Sequence, residues 1–206
     1  MIRKLHWNFL IFAAIVSYPF VIHYFVLNEY YQQASFYILT IVFLLVVQNI
    51  IQGHKWLAVI LIILTLIFGI TLWLDSQMVI FLPPILIPLA LAYLFGKTLI
   101  GNNTAFITVL AQKIRNTDLD EREIKYTRNV TRIWFVFFIA CIIEDILLAY
   151  FADVTTWSYF TNFVNYILIA ALFIIEYSVR RVVLSDLDHP GFIVFIKKLI
   201  RAQYKI

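Results

Sequence analysis

The chain has 206 residues, of which 63% are hydrophobic and 14% are charged, and its mean hydropathy is +0.90. A soluble domain usually carries roughly 45–50% apolar and about 25% charged residues, and a single small core cannot hide such an excess of apolar surface. The net charge of +4 would suit a nucleic-acid binder, but the basic residues flank apolar runs instead of forming one stripe, so we expect no nucleic-acid partner. Composition therefore predicts an integral membrane protein.

The first apolar run lies close to the N-terminus, where a signal peptide is the alternative. The run over residues 8–27 is longer than the apolar core of a signal peptide, and it lacks a small-x-small cleavage site. We therefore interpret it as a retained membrane span.

Six apolar runs have the length of roughly 17–25 residues that crosses a bilayer as a helix. Helices are predicted because backbone groups in lipid find no water, and the runs lack the alternation typical of a barrel strand. The predicted spans are residues 8–27, 34–51, 56–74, 78–96, 133–151 and 158–179. The predicted fold class is all-α: a polytopic bundle of six transmembrane helices in one domain, residues 1–206.

The basic residues predict the orientation of this bundle. All 16 Lys and Arg residues precede the first span, follow the sixth, or lie in the loops after the second and fourth spans. The other loops contain the acids Glu29, Asp75 and Asp153 and no base. By the positive-inside rule, both termini are predicted to lie in the cytoplasm.

Two cytoplasmic segments are predicted to form amphipathic helices. In the loop 97–132, a short helix is expected first, and Asp118 with Glu121 resembles a capping box that starts a second helix running into the fifth span. Residues 192–206 alternate apolar and basic positions at helical spacing, which predicts a helix lying on anionic lipid. A docking helix for an acidic partner is the alternative for this tail.

Polar side chains inside the spans indicate a candidate site, because such groups are costly in lipid. At ~1.5 Å per residue from the cytoplasmic ends, His23 and Glu144 lie roughly 20–24 Å into a core of ~30 Å. Two asparagines of the sixth span reach a similar level from the other side. The candidate ligand-binding residues are His23, Glu144, Asp145, Asn162 and Asn165. Ordinary hydrogen bonding between helices near a wet interface is the alternative.

A lone carboxylate in hydrocarbon is too costly to persist. We therefore expect Glu144 or Asp145 within reach of His23, an asparagine of the sixth span or a span tyrosine, directly or through one water.

Two local features complete the predicted map of the spans. Pro83, Pro84 and Pro88 are expected to break the fourth span and to free backbone carbonyls there. Glu176 lies one turn before Arg180, so the two are expected to form an i,i+4 ion pair.

Familiar catalytic patterns are missing from the sequence. It contains no Gly-rich phosphate loop, no paired-histidine metal motif, and no Ser or Cys placed beside a candidate base. We accordingly expect no metal and no cofactor, and the sequence leans away from an enzyme.

The second half of the chain resembles a family of small bacterial inner-membrane proteins whose genes often lie in clusters for aryl polyene or xanthomonadin-type pigment lipids. The matching segments are KYTRNVT at 125–131, followed by Trp134, and EYSVRR at 176–181. The pair Tyr18-Pro19 and the proline-bearing fourth span also fit the family, whereas the Glu144-Asp145 pair departs from its pattern. The resemblance implies a multi-pass protein of the bacterial inner membrane with a role in lipid synthesis.

The leading functional hypothesis is an accessory membrane protein of envelope lipid or pigment synthesis that holds or hands over an acyl intermediate. Membrane lipids are its expected ligands, and acyl carrier protein or lipid-synthesis enzymes are the expected partners of its basic cytoplasmic face; an oligomer is left open. A small transporter or flippase is one alternative. A membrane-embedded acyl or lipid transferase, with His23 or Glu144 as base, is the other.

Overall fold

The computed structural model describes residues 2–115 and 118–184, and within these ranges every regular element is a helix. The helices are α1 Ile2–Leu27, α2 Tyr31–Gln52, α3 Lys55–Leu74, α4 Ser76–Lys97, α5 Phe106–Arg115, α6 Glu121–Phe151, α7 Val154–Tyr159 and α8 Asn165–Val183, with a π-helical segment, Phe160–Val164, between the last two. The predicted helix over residues 192–206 lies outside the described residues.

Five of these helical stretches are long and apolar enough to cross a membrane: α2, α3, α4, α6 and the run Val154–Val183. They match five of the six predicted spans. For the first predicted span, over residues 8–27, the structure identifies an apolar helical stretch at Ile11–Leu27, and the span itself stays a prediction. The described helices are those of a multi-pass membrane protein.

Large apolar side chains remain exposed along these helices, as expected where lipid completes the packing. Helix α3 shows this most clearly. Phe68 is the only one of its large hydrophobic side chains that is buried. Trp56 and Trp73 are exposed near its two ends, which are the positions that interfacial aromatic rings prefer.

The chain divides into two compact units. The first unit comprises Met1–Ile85 and Asp145–Asn165, and the second comprises Leu86–Glu144 and Tyr166–Ile206.

In the first unit, α2 packs against both α1 and α3. The hydroxyl of Tyr37 donates to the carbonyl of Ala14 at 2.9 Å and lies 2.8 Å from Ser17 Oγ, which joins α1 to α2. Between α2 and α3, Gly53 adopts a left-handed conformation (φ 80°) and its N–H bonds to the carbonyls at the end of α2. A left-handed residue closing a helix is strongly favoured to be glycine.

The core of the second unit is aromatic. Buried Phe95 of α4 packs against Phe138 of α6 with ring centroids 5.4 Å apart, and Trp134 of α6 lies 4.7 Å from Phe173 of α8. Helix α5 is joined to α6 by a buried hydroxyl pair, Thr108 with Thr127, at 2.7 Å.

The start of α6 differs from the prediction by two residues. The capping box consists of Asp120 and Glu123: the amide of Glu123 donates to the Asp120 carboxylate at 2.7 Å, and the amide of Asp120 donates to the Glu123 carboxylate at 3.1 Å. The sequence contains the same acid-x-x-acid spacing at Asp118 and Glu121. The later register buries Leu119, which gives a physical reason for the choice.

The prolines do not break the fourth span, and that prediction is wrong. Helix α4 continues from Ser76 to Lys97 through Pro83, Pro84 and Pro88. Each proline removes one amide donor, so the freed backbone carbonyls expected in this span stay a prediction.

Candidate functional site

A histidine and a serine from opposite ends of the chain meet in the first unit. Nδ1 of His23, on α1, lies 3.1 Å from Oγ of Ser158, on α7. Ser158 is fully buried, whereas His23 is half-buried. The contact places a titratable ring beside a hydroxyl group.

Helix α7 holds Ser158 in place through its cap and its packing. The Asp153 carboxylate accepts from the amide of Thr156 at 2.9 Å and from its hydroxyl at 2.7 Å, and these bonds lower the pKa of Asp153 below its ordinary value. Trp157, which is fully buried, packs on Phe81 with ring centroids 4.4 Å apart. The residue after Trp157 is thereby directed into the unit.

Asn162 extends this pair into a hydrogen-bonded group. Its Nδ2 donates to the carbonyl of Ser158 at 2.9 Å and lies 3.2 Å from Ser158 Oγ. A carbonyl oxygen can only accept, so this bond fixes which amide atom is nitrogen. Oδ1 of Asn162 is consequently an acceptor, and within residues 2–115 and 118–184 it is buried with no hydrogen-bond partner.

Asn165 lies one turn further along, where the π-helical segment ends. Its backbone N–H bonds to the carbonyl of Phe160, five residues back, which is the bond that defines a π turn. The side chain of Asn165 is 8% exposed, and its Oδ1 is also buried without a hydrogen-bond partner in the described part of the chain. We call His23, Ser158, Asn162 and Asn165 the polar cluster.

Aromatic rings connect the polar cluster to the surface of the first unit. The ring of Phe163 lies 5.1 Å from His23 and 5.5 Å from Phe20, edge to face in both cases. Tyr159 lies 5.9 Å from Phe163. Phe20 is 64% exposed and Tyr159 is 51% exposed, so an aromatic surface borders the half-buried imidazole.

The structure places the predicted site residues unequally. His23 and Asn162 are linked through Ser158, and Asn165 follows on the next turn. Asp145 belongs to the same unit and is 1% exposed, whereas Glu144 is half-buried and belongs to the second unit. A contact between either carboxylate and the polar cluster stays a prediction.

Sequence reasoning missed Ser158, and the expectation that no serine lies beside a candidate base is wrong. His23 and Ser158 are 135 positions apart, so no local sequence pattern predicts their contact. One signal was present: Ser158 and Asn162 are four residues apart in a span, a spacing that places two polar groups on one helix face.

A second polar group lies in the second unit. The hydroxyl of Tyr126 donates to the backbone carbonyl of Glu176 at 3.2 Å and is 3.4 Å from its carboxylate. The predicted ion pair is confirmed, with 3.2 Å between Arg180 and Glu176. The segments 125–131 and 176–181, on which the family resemblance depends, therefore touch each other.

No group of three or more His, Cys, Asp and Glu side chains suited to a metal ion occurs among the residues that the structure describes. The polar cluster itself offers one imidazole, one hydroxyl and two amides. Its chemistry is therefore that of hydrogen bonding.

Comparison of the chain with protein-family models, with curated proteins and with solved structures finds no match. The family resemblance of the second half stays a prediction.

Proposed function

We propose that this chain is an accessory protein of the bacterial inner membrane that holds or hands over an acyl intermediate in envelope lipid or aryl polyene-type pigment synthesis. One observation carries the proposal: a buried polar cluster next to exposed aromatic rings. An acyl intermediate has a polar end and a long apolar part, and the cluster and the aromatic surface suit these two parts.

In this proposal the protein has six spans, with α1 as the first and both termini in the cytoplasm. The sorting of all 16 Lys and Arg residues to one side supports this topology. Helix α5 and residues 192–206 would then be amphipathic helices at the cytoplasmic surface. Their basic character would suit acyl carrier protein or an acidic surface of a lipid-synthesis enzyme.

The proposal is tested by identifying the lipid that copurifies with the full chain. We expect mass spectrometry to find one acyl-bearing species enriched over the bulk lipid of the membrane. The variant Ser158→Ala should lose this enrichment, because it removes the hydroxyl at the centre of the cluster.

Ser35→Ala is the matched control. Ser35 is also a fully buried serine of the first unit, and it lies on α2, outside the polar cluster. It should retain the enriched lipid. Copurified lipid in the same proportions as the bulk membrane would contradict the proposal.

A membrane-embedded transferase is the second candidate, and the His23–Ser158 contact favours it. A serine within hydrogen-bond reach of a base is the arrangement of an activated nucleophile. Ser158 Oγ would attack the carbonyl of an acyl thioester, and the carbon–sulfur bond would break as the serine ester forms. His23 would take the serine proton and return it to the departing thiolate.

This candidate predicts a covalent product that the accessory role does not. Incubation with a long-chain acyl thioester should add one acyl group to Ser158, and His23→Ala should abolish the addition. Intact-mass measurement without any adduct on the wild-type chain would exclude the acyl-serine route.

A further inference from the structure

We infer that the polar cluster binds the hydroxyl-bearing head of a neutral amphiphile, through the side-chain oxygens of Asn162 and Asn165. This inference deepens the proposed function and rests on it, because it names the chemistry of the ligand's polar end.

The two asparagine oxygens require a hydrogen-bond donor. Asn162 Oδ1 and Asn165 Oδ1 are buried acceptors without a hydrogen-bond partner among residues 2–115 and 118–184, and their side chains are 2% and 8% exposed. Buried polar atoms in native proteins are almost always hydrogen-bonded, and exceptions call for a bound group or water. The missing partner of an acceptor is a donor.

The two oxygens also restrict the charge of the ligand's head group. A carboxylate or phosphodiester head carries lone pairs and no donor, so it would face the two amide oxygens with like partial charge. Hydroxyl and amide groups donate without bringing a charge into a region where burial of an ion is costly. The two oxygens therefore favour a neutral donor over an anion.

The backbone around the two asparagines is π-helical. Asn162 lies within the π-helical segment and Asn165 directly follows it. A π turn inside an α-helix is rare and occurs frequently at functional sites. The π turn widens the helix between the two asparagines. In the described chain, this is the one place where buried amide oxygens without a hydrogen-bond partner lie on neighbouring turns.

The aromatic rings beside the polar cluster suit the apolar part of the ligand. Phe163 contacts His23, and the exposed ring of Phe20 continues this aromatic surface outward. A chain attached to a head group in the cluster could leave across these rings into the lipid. A small polar solute would make no use of that surface.

The experiment uses the full chain in nanodiscs of phosphatidylcholine, whose head group has no hydrogen-bond donor. Three photoactivatable probes share one alkyl chain and differ in the head: a monoacylglycerol, a fatty acid methyl ester and a primary alkylamine. We expect the monoacylglycerol to label the first unit about tenfold more than the methyl ester, the ratio that about 1.4 kcal/mol of hydrogen bonding produces.

Asn165→Leu should reduce this preference to about threefold, because it removes one of the two acceptors. Within residues 2–115 and 118–184 the side-chain oxygen of Asn165 has no hydrogen-bond partner, so this variant removes the acceptor with little disturbance. Asn49→Leu is the matched control, since the Asn49 side chain bonds to the carbonyl of Leu45 in its own helix, and it should keep the full preference.

The labelling results distinguish failure of the proposed function from failure of this inference. If no probe labels the chain above the level of bulk lipid, the proposed function itself fails. Equal labelling by monoacylglycerol and methyl ester overturns only the inference that the cluster binds a hydroxyl-bearing head. A preference that Asn165→Leu leaves intact does the same. Stronger labelling by the amine shows a cationic ligand, and displacement by free glycerol at the same concentration shows a soluble one; either result overturns the inference.

Discussion

The side-chain amide of Asn162 donates to the backbone carbonyl of Ser158 at 2.9 Å, whereas the amide oxygen of the same side chain is buried without a hydrogen-bond partner in the described residues. One side chain thus combines a hydrogen bond that stabilises the helix with an acceptor that burial makes costly. Asn165 shows the second property alone.

This difference predicts opposite effects of two similar substitutions in the ligand-free protein. Asn162→Leu should lower stability by about 1–2 kcal/mol, because it removes the donor to Ser158. Asn165→Leu should be neutral or stabilising by up to about 1 kcal/mol, because it removes a buried acceptor. Thermal unfolding in detergent measures both, and a large loss for Asn165→Leu would show that its oxygen is satisfied.

Gly96 and Gly69 provide a matched pair of helical glycines for a packing test. A Cβ at Gly96 would lie 2.8 Å from Cε2 of Phe135, whereas a Cβ at Gly69 meets nothing within 4 Å. Gly96→Ala should destabilise by about 1–3 kcal/mol through overpacking. Gly69→Ala should be neutral or stabilising by about 1 kcal/mol, because alanine favours helix. Similar melting temperatures for the two variants would contradict the close approach at Gly96.

The cap of α7 predicts a dependence of stability on acid pH. The Thr156 hydroxyl and the backbone amide hold the pKa of Asp153 below its ordinary value. Stability from this cap is therefore fully present above the unfolded-state pKa of about 4 and is lost as the pH falls through the lower folded-state pKa.

Thr156→Val should shrink this acid-dependent loss, measured as melting temperature between about pH 3 and pH 7, the range around the aspartate pKa. Thr155→Val is the control, because its side chain takes no part in the cap. An unchanged pH profile for Thr156→Val would contradict the role of the hydroxyl.

Topology is tested by reporter fusions in the loops that lack basic residues. Fusions at Glu29, Asp75 and Asp153 should report the periplasm, and a fusion within 97–132 should report the cytoplasm. A fusion at the N-terminus decides whether α1 crosses the membrane. A periplasmic N-terminus together with a periplasmic Glu29 would leave five spans, whereas a cytoplasmic signal at Glu29 would contradict the predicted orientation.

The helices were predictable because they depend on local properties of the chain. An apolar run of span length has one low-energy conformation in lipid, so α2 over Tyr31–Gln52 and α3 over Lys55–Leu74 agree closely with the predicted residues 34–51 and 56–74. The exact start of α6 was not predictable, because two acidic pairs at the same spacing compete and the burial of Leu119 separates them.

The candidate site was only partly predictable. The cost of polar groups in lipid drew attention to His23, Asn162 and Asn165, all of which lie in the first unit. The role of Ser158 was not predictable, because it depends on a contact with a residue 135 positions away. The π-helical segment was not predictable either, because no local pattern shows where a helix takes one extra residue into a turn.

The contact between His23 and Ser158 also has a consequence for biogenesis. The two residues are 135 positions apart, and a ribosome adding about 5–20 residues per second needs roughly 7–27 s to make that stretch. During this interval α1 has been synthesised, but the serine that contacts His23 has not. We expect the contact between α1 and α7 to form only after Ser158 has been synthesised.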